Sequence, residues 1–289
     1  MSTRTKAEVF LVLVTAIWGC TFVMVKGALQ DASPLPFLAV RFVLAGLLLL
    51  AILGRGQVER AAILPGSILG LFLFAGYLLQ TWGLIYTTPA KSAFLTGFSV
   101  ILVPVIMMLS GVRMGPATLV GGALGLCGIY LLVAPSGMAA VNRGDLLTLA
   151  GAFSFAVHII LVGRFTRKFS FLHLVPVQVL VVGLLSLLAL PLVPDQAFHL
   201  TGRLVGAILV TAVLATGLAF SVQNWAQQYT PATHTALIFA LEPVFAAIFS
   251  WALAGEHFGS RALLGSGLIL AGMVISETWG GSLPSPVEG

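Results

Sequence analysis

Gln80-Thr-Trp82-Gly-Leu-Ile-Tyr86-Thr87 and Gln223-Asn-Trp225-Ala-Gln-Gln-Tyr229-Thr230 are two copies of one pattern, Q-x-W-x-x-x-Y-T, at a constant offset of 143. Ser92-Ala93 meets Thr235-Ala236 at the same offset. At offset 144, Gly111, Gly115, Gly121 and Gly128 fall on Gly255, Gly259, Gly265 and Gly272, and earlier in each copy Gly46-Leu-Leu falls on Gly183-Leu-Leu at offset 137. An internal repeat of this period decides the architecture before any local motif does.

The duplicated material is apolar. Of 289 residues, 59% are hydrophobic and 8% charged, with a mean hydropathy of +1.08, whereas soluble chains carry about 25% charged residues. That balance excludes a soluble enzyme. A formal net charge of +5 from so few groups cannot form the basic face nucleic acid requires. Cys20 and Cys127 both lie inside apolar runs, too few for a disulfide framework or a metal knuckle.

A bilayer absorbs this surface at about 20 residues per spanning helix. Apolar stretches run at about 8–29, 34–53, 62–86, 90–110, 116–133, 144–166, 170–192, 203–229, 231–254 and 261–279. They predict an all-α integral membrane protein of ten transmembrane helices. Turn-forming breaks such as Asp31-Ala-Ser-Pro34, Thr88-Pro89 and Thr230-Pro231 separate them. The expected division is a first five-helix repeat over 1–137, a second over 138–280 and a flexible tail over 281–289. The first run ends at Lys26 without a cleavage pattern, so it reads as a retained helix.

Five is odd, so the second repeat enters the membrane from the opposite side, and the halves form an inverted pair. Such pairs have two nearly isoenergetic packings and a substrate site at mid-membrane where they meet. The expected function is therefore transport by alternating access. Lys and Arg are retained on the cytoplasmic side. Arg4, Lys6, Arg55, Arg60, Arg113, Arg164, Arg167 and Lys168 against Lys26, Lys91, Arg143, Arg203 and Arg261 place both termini inside.

Trp18-Gly-x-x-Phe22, Arg41-Phe42, Thr87-Thr-Pro-Ala-Lys-Ser-Ala-Phe94, Glu242-Pro243, Gly255-Glu256 and the glycine-rich last helix resemble the drug/metabolite transporter superfamily, EamA type. Within it the chain looks most like the YddG-type exporters of aromatic and neutral amino acids. The resemblance implies a basket of helices in the inner membrane of a prokaryote-like cell. Helices 1, 3, 4, 6, 8 and 9 would line the cavity, with 5 and 10 packed behind.

In the cavity helices the substrate-binding candidates are Trp18, Phe22, Tyr77, Gln80, Trp82, Phe94, Phe98, Phe153, His158, Gln223, Trp225 and Phe239. Asn224 and Gln227 stand among them, while Tyr86 and Tyr229 read as interface-belt aromatics. Neutral amides such as Gln80 and Gln223 orient a zwitterion without trapping it.

Charge inside a membrane is costly and so is a functional candidate by default. Glu242, beside Pro243, either titrates with a coupling proton, meets a substrate ammonium, or pairs with Arg41 to hold the halves. Arg41 reads first as a packing residue, His158 and His234 as proton relays or carbonyl-bonding side chains, and Lys91 as an interfacial charge or a carboxylate trap. Gly121-x-x-x-Gly125, Gly265-Ser-Gly267 and Gly272 predict a packing seam between helices 5 and 10.

No H-E-x-x-H, phosphate-cradling or nucleophile-elbow motif is present, so no catalytic residue, metal or cofactor is expected. The partners are the lipid bilayer, a small-molecule substrate and protons. The readings left open are export of amino acids or other amphipathic metabolites, export of lipophilic drugs, facilitated diffusion and, from another class, an intramembrane enzyme or lipid-handling scaffold.

Overall fold

The computed structural model describes residues 2–53, 58–111, 115–133 and 141–278. The 137/138 boundary, the tail, Arg55 and Arg113 lie outside the described residues. The helices are α1 (Thr3–Ala28), α2 (Pro34–Leu53), α3 (Arg60–Tyr86), α4 (Pro89–Gly97), α5 (Ser99–Leu109), α6 (Pro116–Val133), α7 (Arg143–Phe165), α8 (Phe171–Ala189), α9 (Gly202–Ala212), α10 (Ala219–Ala226), α11 (Ala232–Phe239), α12 (Glu242–Ala254) and α13 (Ser260–Thr278). Among the described residues there is no strand, only one antiparallel bridge between Ala32 and Phe198. In lipid every backbone group must be satisfied internally, which a helix does within its own segment.

Among the described residues, seven stretches are long and apolar enough to cross a membrane: Thr3–Ala28, Pro34–Ile52, Arg60–Tyr86, Pro89–Leu109, Arg143–Phe165, Phe171–Leu192 and Gly202–Ala226. Three shorter apolar helices accompany them, at Leu119–Gly128, Glu242–Ala254 and Ser260–Gly272. The exterior carries Leu64, Leu188 and Trp251, each more than half exposed, while Arg41, Asp145, His158, Gln178 and Asn224 are buried. An apolar outside around a polar inside is the distribution of a multi-pass membrane protein.

Three stretches that hydropathy reads as continuous are interrupted. The fourth breaks at Phe98, between Gly97 and Ser99. The ninth breaks at Ala240-Leu241, where Pro243 has no N–H for the carbonyl one turn before it. The eighth widens into a π-helical turn over Val213–Leu218 between α9 and α10. Hydropathy averages over a window and cannot register a break that exchanges one apolar residue for another.

Packing follows the repeat. The most extensive interface joins α6 to α13, followed by α3 with α7 and α2 with α8. Glycines set the distances. A Cβ on Gly128 would stand 2.5 Å from the Gly265 carbonyl oxygen, and one on Gly272 would collide with the Gly121 carbonyl. The offset of 144 carries Gly121 to Gly265 and Gly128 to Gly272, so these are the same contact with the halves exchanged. Between α2 and α8, a Cβ on Gly46 would lie 2.5 Å from Leu180 and one on Gly183 would lie 2.8 Å from Val43. Offset 137 exchanges these contacts as well. Where lipid supplies no hydrophobic drive, close backbone approach is what holds such helices together.

Outside the spans, Asp31 ties the link after α1 to the start of α9. It accepts from Arg203 Nε and Nη2, both at 2.9 Å, and from Thr201 Oγ1 at 2.7 Å. These donors hold its carboxyl below the usual carboxylate range.

Candidate functional site

A cavity opens between the two halves, and its lining repeats. On α1 it is lined by Trp18, Thr21, Phe22 and Val25, and on α7 by Phe155, His158 and Ile159. These are Trp18, Thr21 and Phe22 advanced by 137. From α3 come Leu73, Tyr77, Gln80, Thr81 and Leu84; Phe220 and Gln223 of α10 are Tyr77 and Gln80 advanced by 143. Thr96 and Ser99 similarly match Phe239 and Glu242. Arg41 of α2 completes the wall.

The apolar walls are aromatic. Ring centroids lie 5.6 Å apart for Trp18 and Phe220, 5.0 Å for Trp18 and Phe239, and 5.3 Å for Tyr77 and Phe155. The π-helical turn aims two groups at this site. Trp18 Nε1 donates to the Ala215 carbonyl at 2.8 Å, and Arg41 Nε donates to Thr216 Oγ1 at 2.9 Å. A wide turn shifts the hydrogen-bond ladder, which is why such turns gather at functional sites.

Arg41 is 2% exposed, and its guanidinium carbon sits 4.7 Å from the Tyr77 ring centre and 4.9 Å from that of Phe42. Glu242 lines the same cavity, yet among the described residues no ion pair joins it to Arg41. His158 Nε2 lies 2.8 Å from Gln178 Oε1, so the imidazole is fixed by a neighbouring helix. Gln80 Nε2 donates to Thr96 Oγ1 at 3.0 Å, and Gln223 Nε2 donates to Gln227 Oε1 at 3.1 Å. Gln223 Oε1 is buried without a partner, so the amide offers the cavity region an unused acceptor.

Glu242 and Ser99 each begin a half-helix, α12 and α5. The N-terminal end of a helix carries partial positive charge, and both of these ends lie at the cavity.

Other expected residues fall elsewhere. Phe94 is 3% exposed, packed in the core, and Phe98 sits half-buried at the break. Trp82 is half-buried outside the lining. Trp225 is half-buried against Phe10 and Tyr229, at 6.0 and 5.6 Å between ring centres. Phe153 is 50% exposed, and so are Tyr86 and, nearly, Tyr229. Lys91 Nζ bonds Asp145 Oδ2 at 2.9 Å, and His234 Nε2 lies 3.2 Å from Glu8 Oε1. Among the described residues no group of His, Cys, Asp and Glu is placed to hold a metal ion.

Phe155, Phe220 and Ser99 line the cavity without having been singled out in the sequence. The signal was available: offset 137 from Trp18 reaches Phe155, and 143 carries Tyr77 to Phe220 and Ser99 to Glu242.

The sequence profile of the EamA-like transporter family matches residues 5–134 and, again, 142–278. An uncharacterized transporter of Archaeoglobus fulgidus is 34% identical over 273 residues, spanning 94% of this chain and 86% of that protein. The uncharacterized transporter YoaV of Bacillus subtilis is 24% identical, over 94% of this chain and 96% of its own. The uncharacterized inner membrane transporter YedA of Escherichia coli is 25% identical, over 90% and 86% respectively. A solved crystal structure covering 97% of this chain and all of its own superposes with a TM-score of 0.74 at 18% identity, which shows a shared fold.

Proposed function

The chain belongs to the EamA-like transporter family, and from that premise we propose that it exports small zwitterionic metabolites, aromatic and neutral amino acids, by alternating access. Ten crossings form two inverted five-helix halves in the inner membrane, with both termini in the cytoplasm. The observation that carries the substrate class is the pair Arg41 and Glu242: a basic and an acidic side chain in one aromatic-walled cavity, not joined to each other. Unpaired charge at membrane depth is costly. A zwitterion relieves both at once, its carboxylate at Arg41 and its ammonium at Glu242. The aromatic rings then take the side chain, and an amide acceptor such as Gln223 Oε1 favours a ligand that brings N–H donors.

The test is counterflow in proteoliposomes with labelled tryptophan, phenylalanine and leucine, with and without a pH gradient. The reading expects exchange of amino acids. No movement of any amino acid beside robust movement of a cationic drug would overturn the substrate class.

A further inference from the structure

Two of the ion pairs that link the halves, Lys91–Asp145 and His234–Glu8, are copies of each other. Lys91 advanced by 143 is His234, and Glu8 advanced by 137 is Asp145. The bond from Lys91 to Asp145 joins α4 to α7, and the bond from His234 to Glu8 joins α11 to α1. Each is the other with the halves exchanged.

They lie at opposite ends of the cavity. Lys26 Nζ donates to the carbonyls of Leu84, Ile85 and Thr87 at 2.7, 3.0 and 3.0 Å, and Thr87 Oγ1 donates to Asp145 at 3.3 Å. The Lys91 pair therefore sits at the Lys26 end of α1. Glu8 is eighteen residues away along that helix, roughly 27 Å at the α-helical rise, and Trp18 to Val25 line the cavity between.

The copies differ in chemistry. In the first copy the basic partner is a lysine, and Asp145 is fully buried and fixed by a capping box with Asn142. His234 and Glu8 are each more than a quarter exposed, and an imidazole changes charge near pH 6.5. Glu8 Oε1 also accepts from Arg4 Nε at 2.9 Å, so Glu8 keeps a partner on its own helix when the bond to His234 weakens. The other charged and titratable groups on elements packed against α11 are Arg4, Lys6 and Lys26 on α1, Arg143, Asp145, His158 and Arg164 on α7 with Arg167 and Lys168 beyond it, and Arg261 and Glu277 on α13; α5 has none. Charge-assisted hydrogen bonds are about twice as strong as neutral ones.

We propose that Glu8 and His234 form a proton-operated latch, the titratable copy of the fixed Lys91–Asp145 latch at the other end. Protonation of His234 holds the Glu8 end shut, and deprotonation releases it. The inference rests on the alternating-access reading above and adds to it the site where protons act.

The experiment places spin labels at repeat-equivalent exposed positions, Val9 with Tyr229 at the Glu8 end and Leu146 with Tyr86 at the Lys91 end. The full chain carries Cys20→Ser and Cys127→Ser and sits in lipid nanodiscs, and both distances are read from pH 5.5 to 7.5. The expected result is a population with a longer Val9–Tyr229 distance that grows with a midpoint near pH 6.5, with no lengthening of Leu146–Tyr86. In His234→Lys the Glu8 end stays closed across the range, and in Glu8→Gln it stays open, while the Leu146–Tyr86 distance reports an intact fold. A pH response that survives His234→Lys overturns the latch. So does a Val9–Tyr229 distance that ignores pH but shifts with L-tryptophan, and there alternating access stands. If neither pH nor L-tryptophan moves either pair, alternating access falls with it.

Discussion

Ser99 and Glu242 hold the same place in the two repeats: each is the first residue of a half-helix that restarts inside the fold, and each lines the cavity. Their difference is one of charge. Only the second half adds a carboxylate, so the site is geometrically paired and chemically one-sided. On the proposed function, that asymmetry would orient a zwitterion between the halves.

Glu242→Gln keeps the volume and removes the charge. A hydrogen bond to a charged group contributes about 1.5–3 kcal/mol, so binding of amino acids should weaken about 10- to 100-fold. Binding of analogues lacking the amino group should change little. Titration calorimetry of both ligand classes on the purified protein checks this, and equal losses for the two classes would remove the ammonium contact.

Arg41→Lys tests the other end of the ligand. The guanidinium bonds Thr216 through Nε while its carbon lies over the Tyr77 ring, and a lysine ammonium does not reproduce the planar fork. Amino acids should bind about tenfold more weakly, at the lower end of a charged hydrogen bond, and their amides, which carry no carboxylate, should be unaffected. A loss shared by the amides would make Arg41 a packing residue alone.

The sequence carried the pairing of halves further than it carried the choice of face. Gly121, Gly128, Gly265 and Gly272 name their own seam, because a residue kept small at repeat-equivalent places in an apolar helix signals backbone approach. On α7, by contrast, Phe153 and Phe155 are equally apolar and two residues apart. One is half exposed on the outside and the other lines the cavity. Lipid and an aromatic-walled site both accept phenylalanine, so composition cannot separate them; registering α7 against Trp18 of α1 does. The helix breaks were hidden for a different reason: Phe98 and Leu241 are as hydrophobic as the turns they interrupt.

Glycine substitutions on α13 test the seam directly. A Cβ at Gly272 meets the Gly121 carbonyl and lies 3.0 Å from the Gly125 nitrogen, both backbone atoms that cannot rotate away, whereas Gly267 has nothing within 4 Å. Gly272→Ala should cost about 1–3 kcal/mol, as overpacking does. Gly267→Ala should be neutral or stabilise by up to about 1 kcal/mol through helix propensity. Thermal unfolding in detergent separates them, and similar melting temperatures would deny close approach of α6 and α13.

The Asp31 cluster predicts an acid dependence of defined sign. Arg203 and Thr201 hydrogen bonds favour the ionised carboxyl in the folded chain and depress its pKa below the unfolded value near 3.9. A depressed acid binds fewer protons folded than unfolded, so its contribution is complete above about pH 4 and drains away as the pH falls through the lowered value. Asp31→Asn loses the charged acceptor at every pH. Its melting temperature in detergent should lie below that of the unsubstituted chain at pH 7, and the gap should narrow as the pH falls below about 4. Arg203→Gln should behave the same way, since it removes the other partner of the same bond. A gap that stays constant down to pH 3 would mean that the bonds from α9 do not favour the carboxylate. The link between the α1–α2 turn and α9 would then rest on the Ala32–Phe198 bridge and the bond from the Ala197 N–H to Ser33 Oγ.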